Sequence, residues 1–102
     1  MTRIVILFAL LLTLAAPAPA LAQANGCYAD YKAQRTSGGQ LQLHYGVIKL
    51  GNRACTNPDR AQAVVSRRIS VDGWTLLRLV SRFDESGLNA RRGNAGQYFL
   101  RY

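Results

Sequence analysis

The chain has 102 residues, of which 49% are hydrophobic, and its 13 Lys and Arg against 5 Asp and Glu give a formal net charge of +8. This length excludes more than one domain of ordinary size, and two cysteines with a single histidine are too few for a typical structural zinc site. The basic excess attracts anionic surfaces and acidic proteins, although it also serves solubility alone.

The first 22 residues have the three parts of a secretory signal peptide. Arg3 precedes an apolar run at 4–14, and two prolines then break this run before the small residues around Ala22. We therefore expect a Sec-type signal cleaved after Ala22, a periplasmic or secreted protein, and a single mature domain at 23–102. An N-terminal membrane anchor is the alternative, but a membrane-spanning helix needs about 20 apolar residues.

Both cysteines lie in the exported part of the chain. An even number of cysteines in a small secreted domain predicts a disulfide between Cys27 and Cys55. Closing a loop of this size stabilises the folded state by about 3–4 kcal/mol in the chain-entropy model. Lipidation of Cys27, which follows the small residue Gly26, is an alternative that would leave Cys55 without a partner. A metal site is disfavoured, because the two cysteines and the one histidine stand at unrelated spacings.

The mature chain begins with a predicted β-hairpin. Apolar and polar residues alternate at 27–33, which indicates a strand with one buried face, although alanine and lysine also suit a short helix. The polar, glycine-bearing segment 35–40 predicts the turn, and the return strand follows at 41–50. In that strand Gln42, His44, Gly46 and Ile48 share one face, and the residues between them share the other.

An amphipathic helix is predicted after a loop at 51–56. Asn57 can cap its N-terminus, Pro58 suits the first helical position, and Asp59 faces the positive end of the helix dipole. Apolar residues then recur at steps of three and four through to about Val71, so the helix presents one apolar stripe. We expect this stripe to pack on the core of the domain rather than on a partner.

A sharp corner follows the helix at Gly73 and Trp74. Glycine adopts the left-handed conformation that ends a helix without a side-chain clash, so Gly73 predicts the helix end. The segment 74–80 carries apolar residues on both faces, as in a strand inside a sheet. Gly73 and Trp74 together are expected to form a structural corner.

A long polar loop and a final strand are predicted for the last part of the chain. The loop covers 83–96 and has room for a helical turn at 88–91. The final strand covers 97–102. A helix between two strands makes them parallel. Inserting the last strand between them gives an α+β fold with a four-stranded sheet of order 1-2-4-3 and one helix on one face.

Three short stretches resemble a known bacterial family. The segments 45–47, 72–77 and 98–101 are similar to the strand, the Gly-Trp corner and the closing strand of the bacterial domain of unknown function family 4177. The resemblance covers about residues 43–102. It departs from the family at Gly46, where the family has lysine, and at Thr75, where it has glutamate. The resemblance implies a βαββ fold, and the family has no established activity, catalytic residue or cofactor.

Residues that could carry catalysis are few and isolated. His44 has no general base or carboxylate at a suggestive spacing, so a structural or exposed role is expected. The adjacent Asp84 and Glu85 are most simply a solvated turn, with a weak cation site as the alternative. The glycines at 38–39 lack the lysine and helix of a phosphate-binding loop. We therefore expect no catalytic residue, no metal, no cofactor and no enzymatic activity.

Two binding functions remain, and they differ in class. The first is a small basic accessory protein of the bacterial cell envelope that docks on another envelope protein through a face or edge of its sheet. The alternative is a protein that binds phosphorylated lipid, nucleic acid or another polyanion, because guanidinium groups pair with phosphate in two-point geometry. Its candidate residues are Arg53, Arg78, Arg82, Arg91, Arg92 and Arg101. Export disfavours nucleic acid, and the alternative requires the arginines to converge on one face.

Overall fold

A computed structural model describes residues 26–102. The predicted signal peptide, its cleavage after Ala22 and the first residues of the mature chain lie outside this range. The elements are β1 (Cys27–Ser37), β2 (Gln40–Leu50), α1 (Asn52–Cys55), α2 (Pro58–Ile69), β3 (Thr75–Asp84) and α3 (Leu88–Ala95), with 3-10 turns at Ser70–Asp72, Glu85–Gly87 and Gly96–Tyr98. The predicted α+β class, the hairpin and the helix after it are confirmed.

The strands form one antiparallel sheet of order β2-β1-β3. Central strand β1 pairs on both sides, and its first five residues are all buried. Ala29 and Tyr31 face a core with apolar residues of α2, whereas Tyr28 packs on the other face with Val47 and Ala95, the last residue of α3. Successive strand residues point to opposite faces, so a central strand buried on both sides needs a helix over each face.

The predicted fourth strand and the order 1-2-4-3 are wrong for residues 26–102. Strands β2 and β3 are parallel to each other, as a helical crossover requires, but β1 lies between them. The C-terminal segment makes a 3-10 turn and a single parallel bridge, between Phe99 and Val47. Leu100 then has a left-handed φ of 57°, which turns the chain off the β2 edge before a ladder can form.

The corner after α2 matches its prediction. Gly73 has a φ of 83°, its N–H donates to Ser70 O at 2.9 Å, and the Trp74 N–H donates to Ile69 O at 3.3 Å. These two bonds form the Schellman pattern that ends a helix on a left-handed glycine. At the other end of α2, the Asn57 side chain accepts the Arg60 N–H at 3.1 Å, which confirms the predicted cap.

The disulfide is present between Cys27 and Cys55, with Cα atoms 5.8 Å apart. It joins the first residue of the central strand to the last residue of α1. The predicted crosslink is therefore confirmed, and it ties the segment that leads into α2 to the middle of the sheet. Among the described residues, no helix has the length and apolar content needed to span a membrane.

Candidate functional site

The half of the sheet nearest the β1–β2 turn has an exposed apolar surface. Helix α3 packs beside Tyr28 and Val47, at the other end of the strands. A shallow groove of about 310 Å³ is lined by Lys32, Ala33, Leu43, His44, Tyr45 and Leu77. Three leucines are open to solvent here, with exposed fractions of 62% for Leu41, 65% for Leu43 and 50% for Leu77. We call the surface formed by Lys32, Leu41, Leu43, Tyr45, Leu77 and Arg78 the hairpin face.

The local strand geometry explains why these side chains meet. Leu41, Leu43 and Tyr45 alternate along β2 and so share one sheet face. On β3 the register shifts so that Arg78 is opposite Lys32 and Leu76 is opposite Ala33, which leaves Leu77 as an extra residue. Such a bulge redirects a side chain away from regular alternation. Leu77 therefore joins the groove, a placement that alternation along the sequence does not reveal.

Strand β3 differs from its sequence-based prediction. The segment 74–80 was expected to lie inside the sheet because both of its faces are apolar. Instead β3 is an edge strand, in which Leu77 and Val80 are exposed. Only Leu76 and Leu79 pack against the core beneath α2. Phe83 packs against the core on the other face, beside Tyr28, so Leu77 and Val80 are the apolar side chains of β3 that are free to contribute to a surface.

Two cations rim the hairpin face. Lys32 of β1 and Arg78 of β3 are directly opposite each other in the antiparallel register, and both are exposed. Like charges in directly opposed positions destabilise a sheet. Within residues 26–102 the ion pair is that of Asp30 with Arg91, so neither rim cation has a carboxylate partner there. The hairpin face combines apolar side chains with uncompensated positive charge.

A buried polar network closes the groove on the α3 side. Asp30 accepts hydrogen bonds from Ser81 Oγ at 2.7 Å, Tyr45 Oη at 2.8 Å and Arg91 Nε at 2.9 Å. Burial raises the pKa of Asp30, but these three hydrogen bonds and the positive charge of Arg91 together outweigh it, so the pKa is lowered. Burial and the bond to Asp30 raise the pKa of Tyr45 to about 12, so this phenol is neutral at pH 7. The network fixes α3 on the sheet and holds the Tyr45 ring as a wall of the groove.

The six candidate arginines lie on four different parts of the chain. Arg91 is bound to Asp30, and its guanidinium lies 3.8 Å from the centre of the Phe83 ring. Arg82 donates to the Cys55 carbonyl, beside the α1 helix that carries Arg53. The other three are Arg92, 4.4 Å from the centre of the Phe99 ring, Arg101, 5.9 Å from the Tyr98 and Tyr102 rings, and Arg78 on the hairpin face. Three of the six therefore have ring contacts and two have hydrogen-bond acceptors within the fold.

An aromatic cluster surrounds the sole histidine on the opposite sheet face. His44 is 9% exposed, and its Nε2 lies 2.9 Å from Tyr31 Oη. Its ring stacks on Tyr98 at 3.7 Å between ring centres and meets the edge of Trp74 at 4.2 Å. Burial, with a smaller contribution from the charge of Arg35, lowers the pKa of His44 to about 4. His44 is thus a buried, neutral structural group, which is the first of the two roles, structural or exposed, expected from the sequence.

Close approach within this cluster requires a glycine. A Cβ atom at Gly46 would lie 2.5 Å from Tyr31 Oη, so a side chain there would displace the ring that holds His44. The C-terminal residue completes the cluster, because Tyr102 Oη donates to Asp72 Oδ2 at 2.6 Å. The cluster anchors the end of the chain beside the corner that follows α2.

No cluster of metal-binding side chains occurs in the part of the chain that the structure describes. Groups of three or more His, Cys, Asp or Glu suited to a metal are absent between residues 26 and 102. Asp84 accepts hydrogen bonds from the backbone N–H and the hydroxyl of Ser86. These bonds are typical of a local turn. Comparisons of the chain with protein-family models, curated proteins and solved structures find no match. The hairpin face is therefore the candidate functional site.

Proposed function

We propose that the protein is an exported accessory protein of the bacterial cell envelope that docks on another exported protein through the hairpin face and has no catalytic activity. The observation that carries this proposal is that exposed Leu43 and Leu77 line one groove, with exposed Leu41 on the same face of β2, on the half of the sheet that α3 leaves open. Contiguous exposed apolar patches with polar rims are typical of protein interaction sites. Export rests on the signal-peptide pattern.

A second copy of the chain is a poor occupant of this face. Residues 26–102 contain twelve Lys and Arg against five Asp and Glu, so each copy has a net charge of +7. Two such copies repel, and an isologous contact would place the Lys32 and Arg78 rims of both copies in one interface. A protein of different sequence avoids this repulsion. The proposed complex is therefore between unlike chains.

The strands that form the hairpin face are continuously paired and anchored, which supports a rigid docking surface. Strands β1 and β2 pair without interruption from Cys27 opposite Leu50 to Ser37 opposite Gln40. The disulfide and the Asp30 network hold the other ends of the strands in place. A preorganised surface loses less conformational entropy on binding than a mobile loop does. Docking on this face needs no rearrangement of the described fold.

A capture experiment tests docking against simple anion binding. The mature, oxidised protein is immobilised, exposed to the envelope fraction of its own cells, and washed at low and then high salt. Docking through packed apolar groups predicts one protein retained at high salt. Binding of polyanions through arginines predicts many unrelated anionic species that all leave at high salt, because salt screens exposed charges. That second outcome would replace the docking proposal with the anion-binding alternative.

A further inference from the structure

We infer that the docking segment of the partner is acidic, with a carboxylate seated between Lys32 and Arg78 and an apolar side chain in the groove between Leu43 and Leu77. This inference rests on the proposed docking function and adds the chemistry of the partner to it. The groove, at about 310 Å³, has space for one or two side chains rather than for a folded domain. The partner therefore presents a narrow segment to this surface.

The opposed cations are the first reason for an acidic partner. Lys32 and Arg78 are aligned across β1 and β3, where directly opposed side chains have Cβ atoms about 5 Å apart. A carboxylate accepts from an ammonium and a guanidinium at once, since each of its two oxygens has two lone pairs. Such a bridge would turn a repulsive cross-strand pair into two charge-assisted hydrogen bonds. No acidic residue among those described fills this place on the hairpin face.

The second reason for an acidic partner is that several other cations of the fold have bonding partners within it. Arg91 is paired with Asp30, Arg68 donates to the Lys49 carbonyl at 2.7 Å, and Arg35 donates to the Asp72 carbonyl at 2.9 Å. These guanidinium groups hold elements of the domain together. Within residues 26–102, Lys32 and Arg78 make no such bond to another element, and both are exposed beside an apolar groove, so their charges face outward from the fold. Their position suits recognition better than stability.

Site-specific photocrosslinking tests the inference and the proposed function separately. A photoreactive amino acid replaces Leu43 in the full, oxidised chain, expressed in its own cells, and a matched variant carries it at Gln62 on the exposed side of α2. The expected result is a protein crosslinked from position 43 and not from position 62. The crosslinked segment of that protein should contain Asp or Glu within a few residues of the attachment point.

Charge variants then measure the contribution of the rim. The double variant Lys32→Gln, Arg78→Gln is compared with Arg60→Gln, Arg67→Gln, which makes the same charge change on exposed positions of α2. We expect the rim variant to reduce the crosslinking yield about fivefold, as for two exposed ion pairs, and the α2 variant to leave the yield unchanged. The rim substitutions lie at exposed strand positions, and the same melting temperature as the α2 variant would show that both proteins fold.

The outcomes separate the two claims. A protein crosslinked from position 43 through a segment without acidic residues, or a yield that the rim variant leaves unchanged, would overturn the acidic partner and leave docking standing. Equal crosslinking from positions 43 and 62, or attachment of position 43 to lipid or nucleic acid only, would overturn both claims.

Discussion

Acidification should destabilise the domain through His44, and the effect can be given a sign and a size. The pKa of His44 falls from its ordinary 6.5 to about 4 in the folded protein because the ring is buried, with a smaller effect from Arg35. Between these two pH values, His44 is therefore protonated in the unfolded chain and neutral in the folded protein. The free energy of unfolding is fully retained above pH 6.5 and falls as the pH is lowered to about 4, by about 3 kcal/mol in total.

Denaturant unfolding of the oxidised protein at several pH values between 7.5 and 4 measures this loss. Trp74 is the only tryptophan, is buried, and contacts the His44 ring, so its fluorescence reports the transition. Asp30, whose pKa is lowered from 3.8, contributes stability that is lost mainly below this window. The steepest decline should thus lie between pH 6.5 and pH 4.

The variant His44→Gln is the matched control because glutamine can still hydrogen-bond Tyr31 Oη but does not titrate. Its free energy of unfolding should be nearly constant across the same pH range, even if it is lower at pH 7. A wild-type protein that loses less than about 1 kcal/mol between pH 6.5 and pH 4, or a glutamine variant with an unchanged decline, would refute the assignment of this pH dependence to His44.

Three further predictions concern stability. Asp30→Asn should lower the free energy of unfolding by about 3 kcal/mol in denaturant titrations, because it leaves a part-buried guanidinium without its counter-ion, and a loss below about 1 kcal/mol would contradict this. Gly46→Ala should lower the free energy of unfolding by about 1–3 kcal/mol, because the added methyl group clashes with Tyr31. Alanine at Gly51, where nothing lies within reach, should not lower it. Equal melting temperatures for the two variants would exclude the clash. Reducing the disulfide should lower the free energy of unfolding by about 3–4 kcal/mol. The same free energy of unfolding with and without reductant would count against the crosslink as a stabilising element.

Features with local signals could be predicted from the sequence. The Asn57 cap and the left-handed Gly73 depend on residues within one helical turn, so their patterns specify them directly. The Cys27 to Cys55 crosslink needs only an even cysteine count and an oxidising compartment. The cap and the glycine gave the helix and the corner their correct places along the chain, and alternation with a glycine-bearing turn did the same for the hairpin.

Features that depend on competition between distant segments could not be predicted. The central place in the sheet went to β1, which buries both faces, rather than to 97–102, where the left-handed Leu100 turns the chain away. The bulge that exposes Leu77 leaves no mark in an apolar run. The pairing of Asp30 with Arg91 joins residues 61 apart in sequence, and each alone looks like an ordinary surface charge. The candidate site emerges only once these long-range pairings are known.

The most direct test of docking through the hairpin face compares the affinity of two variants for the captured partner. Leu43→Gln, Leu77→Gln changes two exposed leucines of the face, and Val71→Gln changes an apolar residue after α2 that is even more exposed, 74% open to solvent. Because each leucine buried on binding contributes on the order of 1.5–3 kcal/mol, the double variant should bind at least about tenfold more weakly. The Val71 variant should bind like the wild type. Equal affinity of all three proteins would contradict docking through this face.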